Sequence, residues 1–449
     1  MSTYLTFIMR NILRSLISCS FFLPLFAVAQ QSNEVLLTNA TLENVIQYAL
    51  KHYPLLQQSV LDEKITSASV NARLTDWSPQ VNFSLAPQHY FERPSIVIGG
   101  NTIQQGLINS SPTQFTGTLN LVNRDVILSS VTAKDLRKQS KQNTENLKIN
   151  IVVSVSKAFY ATLATAQQIE VGKEEITRLE RSLQDAQSRY TVGVSDKTDY
   201  KRAAIALNNS RATLASNLEL LKANKEYLKA LIGYPIDHDL QLTYNPTEME
   251  QQIVTDTFAL PDYKDRIEYQ QLLVTKKLQK ANLDYSYMGF LPNISLNGAY
   301  AYNFFSNENS VSALYRTPLA YSYVGLSLTF PIFQGGKRAF AIRQQKLQLE
   351  RIDYSIQNLQ NSVNAEHAQA VANYKSYLVR YEALRENLSL AQEVYDVINL
   401  QYKSGVKTYL EVVTAETDLR NAKINYYNGL YQVLSAKMDL QKALGQVKW

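Results

Sequence analysis

The chain has 449 residues, with 45 Lys and Arg against 39 Asp and Glu, and a formal net charge of +6. Its 45% hydrophobic content, 15 Gly and 12 Pro exclude a collagen-like chain and a disordered Pro/Gly-rich chain. The single Cys excludes a disulfide framework and a Cys-based zinc site, and the four His are scattered. Because no Gly-rich phosphate loop is present either, we expect no catalytic residue, no cofactor, no metal site and no enzyme activity.

The first 29 residues have the composition of a secretory signal peptide. An uncharged apolar stretch follows Arg14 and ends in the small-residue cleavage site 27–29 (AVA). Met9 is an alternative start of translation, and lipidation of Cys19 is an alternative to cleavage after residue 29. Removal of 1–29 takes away two Arg and lowers the net charge from +6 to +4. So small an excess argues against binding to nucleic acid.

The second half of the chain repeats the first half at an offset of 212 residues. YTVGV at 190–194 matches YKSGV at 402–406, and identical residues recur at the same offset as far as Gly233 and Gly445. A period of this length indicates a duplicated half, not a solenoid. The predicted divisions are a first repeat at 30–233, a linker at 234–260 and a second repeat at 261–449.

Each repeat contains two segments in which apolar and polar residues alternate. The predicted strands cover about 80–92, 114–123, 292–304 and 320–331. Each is about ten residues long, and aromatic residues gather at both ends, which is typical of strands that cross a membrane. A half-buried soluble sheet is the alternative, since it shows the same alternation. The longer connections, 94–113 and 305–319, are polar and are expected to be extracellular loops.

The predicted apolar face of these strands is the one expected to contact lipid. The residues placed on it are Val81, Phe83, Leu85, Phe115, Leu119, Leu121, Ile294, Leu296, Tyr300, Val324, Leu326 and Leu328. Ser327 is placed on the opposite face, toward the interior of the barrel.

The strands of each repeat are followed by a helix too long for an ordinary globular domain. These helices are predicted at about 125–190 and 338–402, and each spans about 100 Å. Residues at alternating spacings of four and three, such as Tyr374, Tyr381 and Tyr395, form a coiled-coil seam. The shorter helices of each repeat add up to a similar length. We therefore expect each long helix to lie beside two shorter helices placed end to end.

Four strands cannot close a barrel by themselves. An open strand edge cannot face lipid, because its N–H and C=O groups would remain without partners. Two, three or four copies would give 8, 12 or 16 strands, and an eight-stranded barrel is filled by its own side chains. The strand count therefore predicts an oligomer, and three or four copies would leave a pore.

Three motifs carry a resemblance to a known family. They are YKSGVKTYLEVVTAETDL at 402–419, ALG at 443–445 and FPIFQGG at 330–336. With the strand pairs and the long helices, they resemble the TolC family of outer-membrane efflux proteins. The first repeat departs from the third motif, because 121–130 has neither Pro nor a Gly pair.

The resemblance implies a mainly α fold with a membrane β-barrel portion in the bacterial outer membrane. It implies a homotrimer with a 12-stranded barrel and a periplasmic α-helical tunnel. It also implies two protein partners, a periplasmic adaptor (membrane fusion) protein and an inner-membrane pump, of a tripartite efflux or type I secretion system.

The tips of the two helical hairpins are the predicted functional region. Glycine permits the positive φ of a sharp turn between helices. The resemblance implies that both tips contact the adaptor. The tip residues concerned are Gly193, Val194, Gly405 and Val406.

Residues beside the tips are candidates for closing the channel. By the resemblance, Asp199, Tyr402 and Lys407 match positions that hold the aperture closed, and Glu411 matches an acidic residue of the periplasmic entrance. Thr414 stands where a second acid is common. We expect Lys407 and Asp199 to form an ion pair between neighbouring tips. The alternative is that these residues are ordinary solvated groups at helix ends.

The expected function is a passive outer-membrane exit channel for small molecules or proteins. The alternative is a periplasm-spanning coiled-coil scaffold or adhesin without a pore, which would not need strands with a lipid-type face. The carboxylates of the first long helix, such as Glu174, Glu175 and Asp185, are expected to form a solvated face.

Overall fold

The computed structural model describes residues 37, 39–194, 196–255 and 262–449, with the side chains of 246 and 247 left aside. The predicted signal peptide, 1–29, and the end of the predicted linker lie outside the described residues. The helices in chain order are α1 (Leu42–His52), α2 (Pro54–Leu74), α3 (Arg124–Thr191), α4 (Lys197–Ile232), α5 (Pro246–Gln251), α6 (Ile267–Tyr287), α7 (Val311–Leu314), α8 (Lys337–Lys403) and α9 (Tyr409–Ala443). The strands are β1 (Gln80–Leu85), β2 (Gln88–His89), β3 (Ser95–Ile98), β4 (Asn101–Gln104), β5 (Asn109–Val122), β6 (Asn293–Ser306) and β7 (Pro318–Thr329).

The main sheet joins the two halves of the chain. Its strands follow the order β1-β5-β6-β7, every neighbouring pair is antiparallel, and β2 also pairs with β5. β5 comes from the first repeat and β6 from the second, so the long ladder between them ties the repeats together. The strands β1 and β7 lie at the two ends of the sheet.

The register places the predicted apolar residues on one face. Leu119 of β5 is opposite Leu296 of β6, which is opposite Leu326 of β7. In the next apolar row, Phe83 of β1 is opposite Phe115 of β5, with 4.9 Å between their ring centroids. Directly opposed residues of an antiparallel sheet share a face. The four alternations therefore form one continuous apolar surface.

The strands differ from the predicted ones in detail. The ladder between β5 and β6 shifts between Asn120 and Val122, and Val122 pairs with Ile294. Leu121 is thus a bulge residue, and Val122 takes the place on the apolar face that we expected for Leu121. The alternation could not reveal this shift, because Leu121 and Val122 are both apolar.

The predicted loop 94–113 contains a β-hairpin. The strands β3 and β4 pair with each other, and Gly99 and Gly100 between them have φ of 61° and 88°. Two consecutive positive φ values favour the tight two-residue turn of a hairpin, and they require glycine or a similarly tolerant residue. In the second predicted loop, 305–319, the short helix α7 follows β6.

The two long helices begin in different ways. The side chain of Asn123 accepts hydrogen bonds from the backbone N–H groups of Asp125 and Val126, and so caps the first turn of α3. Before α8, Gly335 and Gly336 both have positive φ, of 56° and 81°. The Gly pair of FPIFQGG thus makes the turn that Asn123 makes in the first repeat, which explains the departure at 121–130.

The helices form a single layer whose order changes along its length. Near the sheet the neighbours are α2, α3, α6 and α8, and toward the hairpin tips they are α4, α3, α9 and α8. The long helices α3 and α8 therefore pass through both halves, while shorter helices stand end to end beside them, as the lengths predict. One edge of the layer consists of α2 and α4, and the other is α8.

Residues of the predicted seams point into the layer. On α8, Ala370, Tyr374 and Tyr381 are buried, and on α3 so are Val152, Val155 and Phe159. The helix α3 includes an apolar stretch long enough to cross a membrane, but 61% of it is buried against other parts of the protein. We therefore interpret this stretch as core.

The described part of the linker is held against the helical layer. The hydroxyl of Tyr374 donates to the carbonyl oxygen of Ile253 at 2.7 Å, and Tyr426 donates to Glu250. Lys437 donates to the carbonyl oxygen of Val254 at 3.2 Å. Tyrosine suits these positions because its ring fills the seam while its hydroxyl reaches a polar partner.

The register predicts opposite outcomes for two adjacent substitutions. Leu326→Arg places a charge on the apolar face and should cost about 2–4 kcal/mol near the bilayer midplane, whereas Ser327→Arg points to the other face. We expect only Leu326→Arg to reduce the amount of protein recovered in outer-membrane fractions. The reverse result would mean that the strand is shifted by one residue.

Candidate aperture at the helical tips

Each hairpin tip is a turn made by a glycine in the left-handed region. Gly193 has φ of 76° and Gly405 has φ of 81°. Val194 and Val406 follow these glycines, and both side chains are largely exposed. The four predicted tip residues therefore lie at the ends of the helical layer, where a partner protein could contact them.

The start of α9 is capped by its own side chains. Glu411 accepts a hydrogen bond from the backbone N–H of Thr408 at 2.9 Å, and its other oxygen accepts one from Lys407 Nζ at 2.6 Å. The hydrogen bond from Lys407, followed by those from Thr408, lowers the pKa of Glu411 to about 2. Thr408 and Glu411 thus form a capping box that fixes the direction in which the chain leaves the tip.

Tyr402 lies in a cluster of side chains just inside the tips. The guanidinium of Arg189 lies over its ring, 4.7 Å from the centroid, and the ring centroid of Tyr409 is 5.9 Å away. Burial raises the pKa of Tyr402, and the negative charges of Asp199 and Asp185 act in the same direction. Asp199 is therefore close enough to Tyr402 to act on it electrostatically.

Within one chain, the structure does not bring Lys407 and Asp199 together. Lys407 forms its ion pair with Glu411, and Asp199 forms none in the described part of the chain. A contact between Lys407 and Asp199 would have to join two copies. Of the four candidates, Lys407 and Glu411 contact each other, whereas Asp199 acts on Tyr402 only through its charge.

Three ion pairs join α3 to α9 above the tips. Arg178 Nε lies 2.9 Å from a carboxylate oxygen of Glu416, and Arg420 Nη1 lies 3.1 Å from one of Glu175. The third pair is Lys423 with Glu174, at 2.7 Å. Ser210 of α4 also donates to Glu175, at 2.8 Å. Three helices therefore meet at this polar contact.

The expectation that Glu174, Glu175 and Asp185 form one solvated face is wrong for Glu175. Its side chain is only 5% exposed, and Glu416 on the facing helix is 3% exposed. Burial raises the pKa of Glu416, and the hydrogen bond and positive charge of Arg178 partly offset this increase. The sequence does not show which residue lies opposite a charged side chain on a helix. The pairs of Glu175 and Glu416 with arginines are therefore seen only in the structure, where α3 and α9 lie side by side.

No group of three or more His, Cys, Asp or Glu that could hold a metal ion occurs among the residues that the structure describes. The polar side chains near the tips instead cap α9 and form ion pairs between α3 and α9.

A family model described as "Outer membrane efflux protein" matches residues 45–234 and 275–446. The TolC outer membrane protein of Vibrio cholerae is 20% identical over 334 residues, which are 72% of this chain and 74% of that protein. The outer membrane efflux protein BepC of Brucella suis is 22% identical, covering 87% of each chain. For the toluene efflux pump outer membrane protein TtgC of Pseudomonas putida the identity is 22%, over 68% of this chain and 62% of that protein.

Solved structures share the fold. The CmeC outer membrane channel of Campylobacter jejuni superimposes with a TM-score of 0.74 at 16% identity, over 90% of this chain and 85% of that one. The outer membrane protein VceC of Vibrio cholerae gives a TM-score of 0.71 at 16% identity, over 90% of this chain and 96% of that one. The predicted mainly α fold with a β portion is thereby confirmed.

Arg178→Ala should destabilise the helical layer, because it leaves the buried charge of Glu416 without its partner. We expect a loss of about 2–3 kcal/mol, below the value for a fully buried pair, because Arg178 is itself partly exposed. The measurement is thermal unfolding of the purified protein, followed by circular dichroism.

The matched control is Arg211→Ala, which removes an exposed pair with Glu180 at 2.7 Å and should cost less than about 1 kcal/mol. Adding Glu416→Gln to Arg178→Ala should restore part of the loss, because the buried charge is then gone. Equal effects of Arg178→Ala and Arg211→Ala would show that burial does not matter here.

Proposed function

The chain belongs to the outer membrane efflux protein family, and on that basis we propose that it forms a homotrimeric exit channel in the bacterial outer membrane. The channel is passive and passes small molecules or proteins from the periplasm to the exterior. Its proposed partners are a periplasmic adaptor protein and an inner-membrane pump, which supplies the energy and selects the substrate.

One observation supports this proposal most directly: the sheet and the helical layer end at the same two edges. The strand β1 and the helices α2 and α4 belong to one edge, while β7 and α8 belong to the other. A second copy placed beside the first would therefore pair β7 with β1 and pack α8 against α2 and α4. The next copy would therefore extend the sheet and the helical layer around the same axis.

Exposed apolar residues of the helical layer concentrate at these edges. On α8, Phe340, Leu347 and Tyr354 recur every seven residues and are exposed. On the opposite edge the exposed apolar residues include Leu55, Leu61 and Ile65 of α2 and Ile205, Leu220 and Tyr227 of α4. A seven-residue spacing is that of a helix packing against another helix. The edges therefore suit contact with further copies of the chain.

Three copies supply enough strands for a barrel with an open pore. Three would supply 12 strands and a ring of 12 helices in each half of the layer, since each copy contributes four of each. Two copies would give an eight-stranded barrel, which side chains fill. The choice of three over four follows the family resemblance.

The aperture is proposed to lie at the tips. In a closed ring, the tip between α8 and α9 of one copy would adjoin the tip between α3 and α4 of the next. Lys407 would then form an ion pair with Asp199 of the neighbouring copy. Glu411 would cap α9, and Tyr402 would lie close to Asp199. The adaptor would contact the tip residues Gly193, Val194, Gly405 and Val406.

Cysteine crosslinking across the two edges tests the oligomer. Ile65 on α2 and Leu347 on α8 lie at similar depths, about ten residues from the sheet ends of their helices. The doubly substituted protein, Ile65→Cys with Leu347→Cys, should give covalent species up to trimer and none larger. The control pairs Ile65→Cys with Lys277→Cys, which lies on the inner helix α6, and should remain monomeric. A monomer in both variants would favour the scaffold hypothesis.

Single-channel conductance tests the aperture. Each exposed ion pair is worth about 0.2–1 kcal/mol. Three of them could total about 1–3 kcal/mol, a factor of about 5–150 in the ratio of open to closed channels. Lys407→Ala and Asp199→Ala should therefore each raise conductance at low salt, and the double variant should gain less than the sum.

Glu411→Gln separates the two possible roles of Lys407. It removes the ion pair within the chain but leaves Lys407 charged and available to the neighbouring Asp199, so conductance should stay low. An increase in Glu411→Gln with no change in Asp199→Ala would mean that the cap of α9, not the contact between copies, keeps the channel closed.

A further inference from the structure

Two arginines converge at the end of the sheet where the long helices begin. Arg124 is the first residue of α3, and Arg338 is the second residue of α8. Both lie against Gly289, which belongs to the 3-10 turn between α6 and β6. A Cβ atom added to Gly289 would lie 3.1 Å from Nη1 of Arg124 and 3.9 Å from Nε of Arg338. The missing side chain of Gly289 thus leaves room for two cationic groups.

Aromatic rings hold both guanidinium groups in place. The guanidinium of Arg124 lies 4.7 Å from the ring centroid of Tyr285, and that of Arg338 lies 4.9 Å from the ring centroid of Phe290. Arg338 also donates to the carbonyl oxygen of Pro331 at 2.8 Å and to the side chain of Gln334 at 3.2 Å. Cation–π contact orients the guanidinium plane and leaves N–H donors along its edge.

The two positive charges have no acidic partner at ion-pair distance in the described chain. Neither arginine takes part in an ion pair within the described residues, and the carboxylate of Asp125, the next residue after Arg124, accepts the hydroxyl hydrogen of Tyr285 at 2.5 Å. Both arginines are only partly exposed. Like charges held this close repel each other, so an anion that binds to both would be favoured.

The surroundings indicate what kind of anion fits. The nearby side chains of Phe290, Phe330, Ile332 and Phe333 are exposed, and Ile332 and Phe333 are 89% and 87% exposed. A soluble anion gains nothing from such neighbours. An anionic group attached to hydrocarbon would place its charge at the arginines and its chains on the apolar side chains. The site also lies where the membrane strands end and the helices start.

We propose that Arg124 and Arg338 bind the phosphate of an anionic phospholipid at the periplasmic boundary of the outer membrane. Guanidinium groups match phosphate oxygens through paired N–H donors. The bound lipid would connect the starts of α3 and α8, and hence the two repeats, to the membrane surface. This proposal uses the outer-membrane location and does not depend on conduction through the channel.

Native mass spectrometry of the full-length protein in detergent, titrated with phosphatidylglycerol, tests the site. Replacing one arginine near an anionic surface should weaken binding by about fivefold, and replacing both by about 25-fold. The variants are Arg124→Gln, Arg338→Gln and the double variant. Arg137→Gln is the control, because Arg137 lies further along α3, where it donates to Asn71 at 2.8 Å. Equal binding by the wild type and the double variant would overturn the proposal.

Gly289→Ala tests the geometry while both charges remain. The new methyl group would displace the Arg124 side chain, so binding of phosphatidylglycerol should fall while the thermal unfolding temperature stays near that of the wild type. Unchanged binding in this variant would show that the two arginines do not act at one place.

Two further measurements distinguish the source of the phosphate and the alternative occupant. Inorganic phosphate at the same concentration should compete weakly, and full competition would mean a site for a free anion and overturn the lipid proposal. In the double variant without lipid, the oligomer should remain intact. Loss of the oligomer, with lipid binding unchanged, would identify the patch as a contact between copies and would likewise overturn it.

Discussion

The unpaired backbone groups of the outer strands β1 and β7 are the constraint on which the rest of the structure depends. In lipid these groups have no water to bind, and leaving them unpaired costs several kcal/mol each. The described sheet ends at β1 and β7, so in a membrane it would need further strands beside both. The helical layer obeys the same geometry, because each strand edge leads directly into the helix at the corresponding edge: β1 is preceded by α2, and β7 is followed by α8. Duplication makes this arrangement simple, since each repeat contributes two strands and one long helix.

The contact between α3 and α9 changes character along its length, which bears on how an aperture could work. In the middle of the protein it is mainly apolar, with Phe159, Leu430 and Leu434 fully buried or nearly so, and one exposed ion pair joins Lys157 to Asp439. Toward the tips, buried ion pairs of Arg178 with Glu416 and of Arg420 with Glu175 are added to apolar residues such as Leu179 and Leu419. Apolar contacts lose free energy when water enters, whereas charged groups regain hydration, so separation of the helices costs less near the tips. The proposed aperture therefore lies at the end of the layer where buried ion pairs make up more of the contact between α3 and α9.

Much of this fold could be predicted because it follows from periodicity. The alternation of Phe115, Leu119 and Leu326 with polar residues predicted the apolar side of each strand, and the four-and-three spacing of Tyr374 and Tyr381 identified the buried side of α8. What escaped prediction depends on single residues or on distant partners. The bulge at Leu121 lies between two apolar residues, so either register fits the pattern. The hairpin of β3 and β4 rests on two glycines in a segment that composition alone describes as loop. Glu175 is buried among partners distant in the sequence, since Arg420, 245 positions away, and Ser210 both donate to it.

The candidate aperture shows the same division between local and distant information. The sequence could indicate turns at Gly193 and Gly405, because the requirement for positive φ is local. The pair of Lys407 with Glu411 is also local, four residues apart, but the sequence by itself does not decide which carboxylate Lys407 binds. Glu411 accepts from the backbone of Thr408 through one oxygen and from Lys407 through the other, so α9 keeps its capped start when Lys407 turns elsewhere. In the proposed closed ring, Lys407 could therefore turn to Asp199 of the neighbouring copy while Glu411 and Thr408 still cap α9.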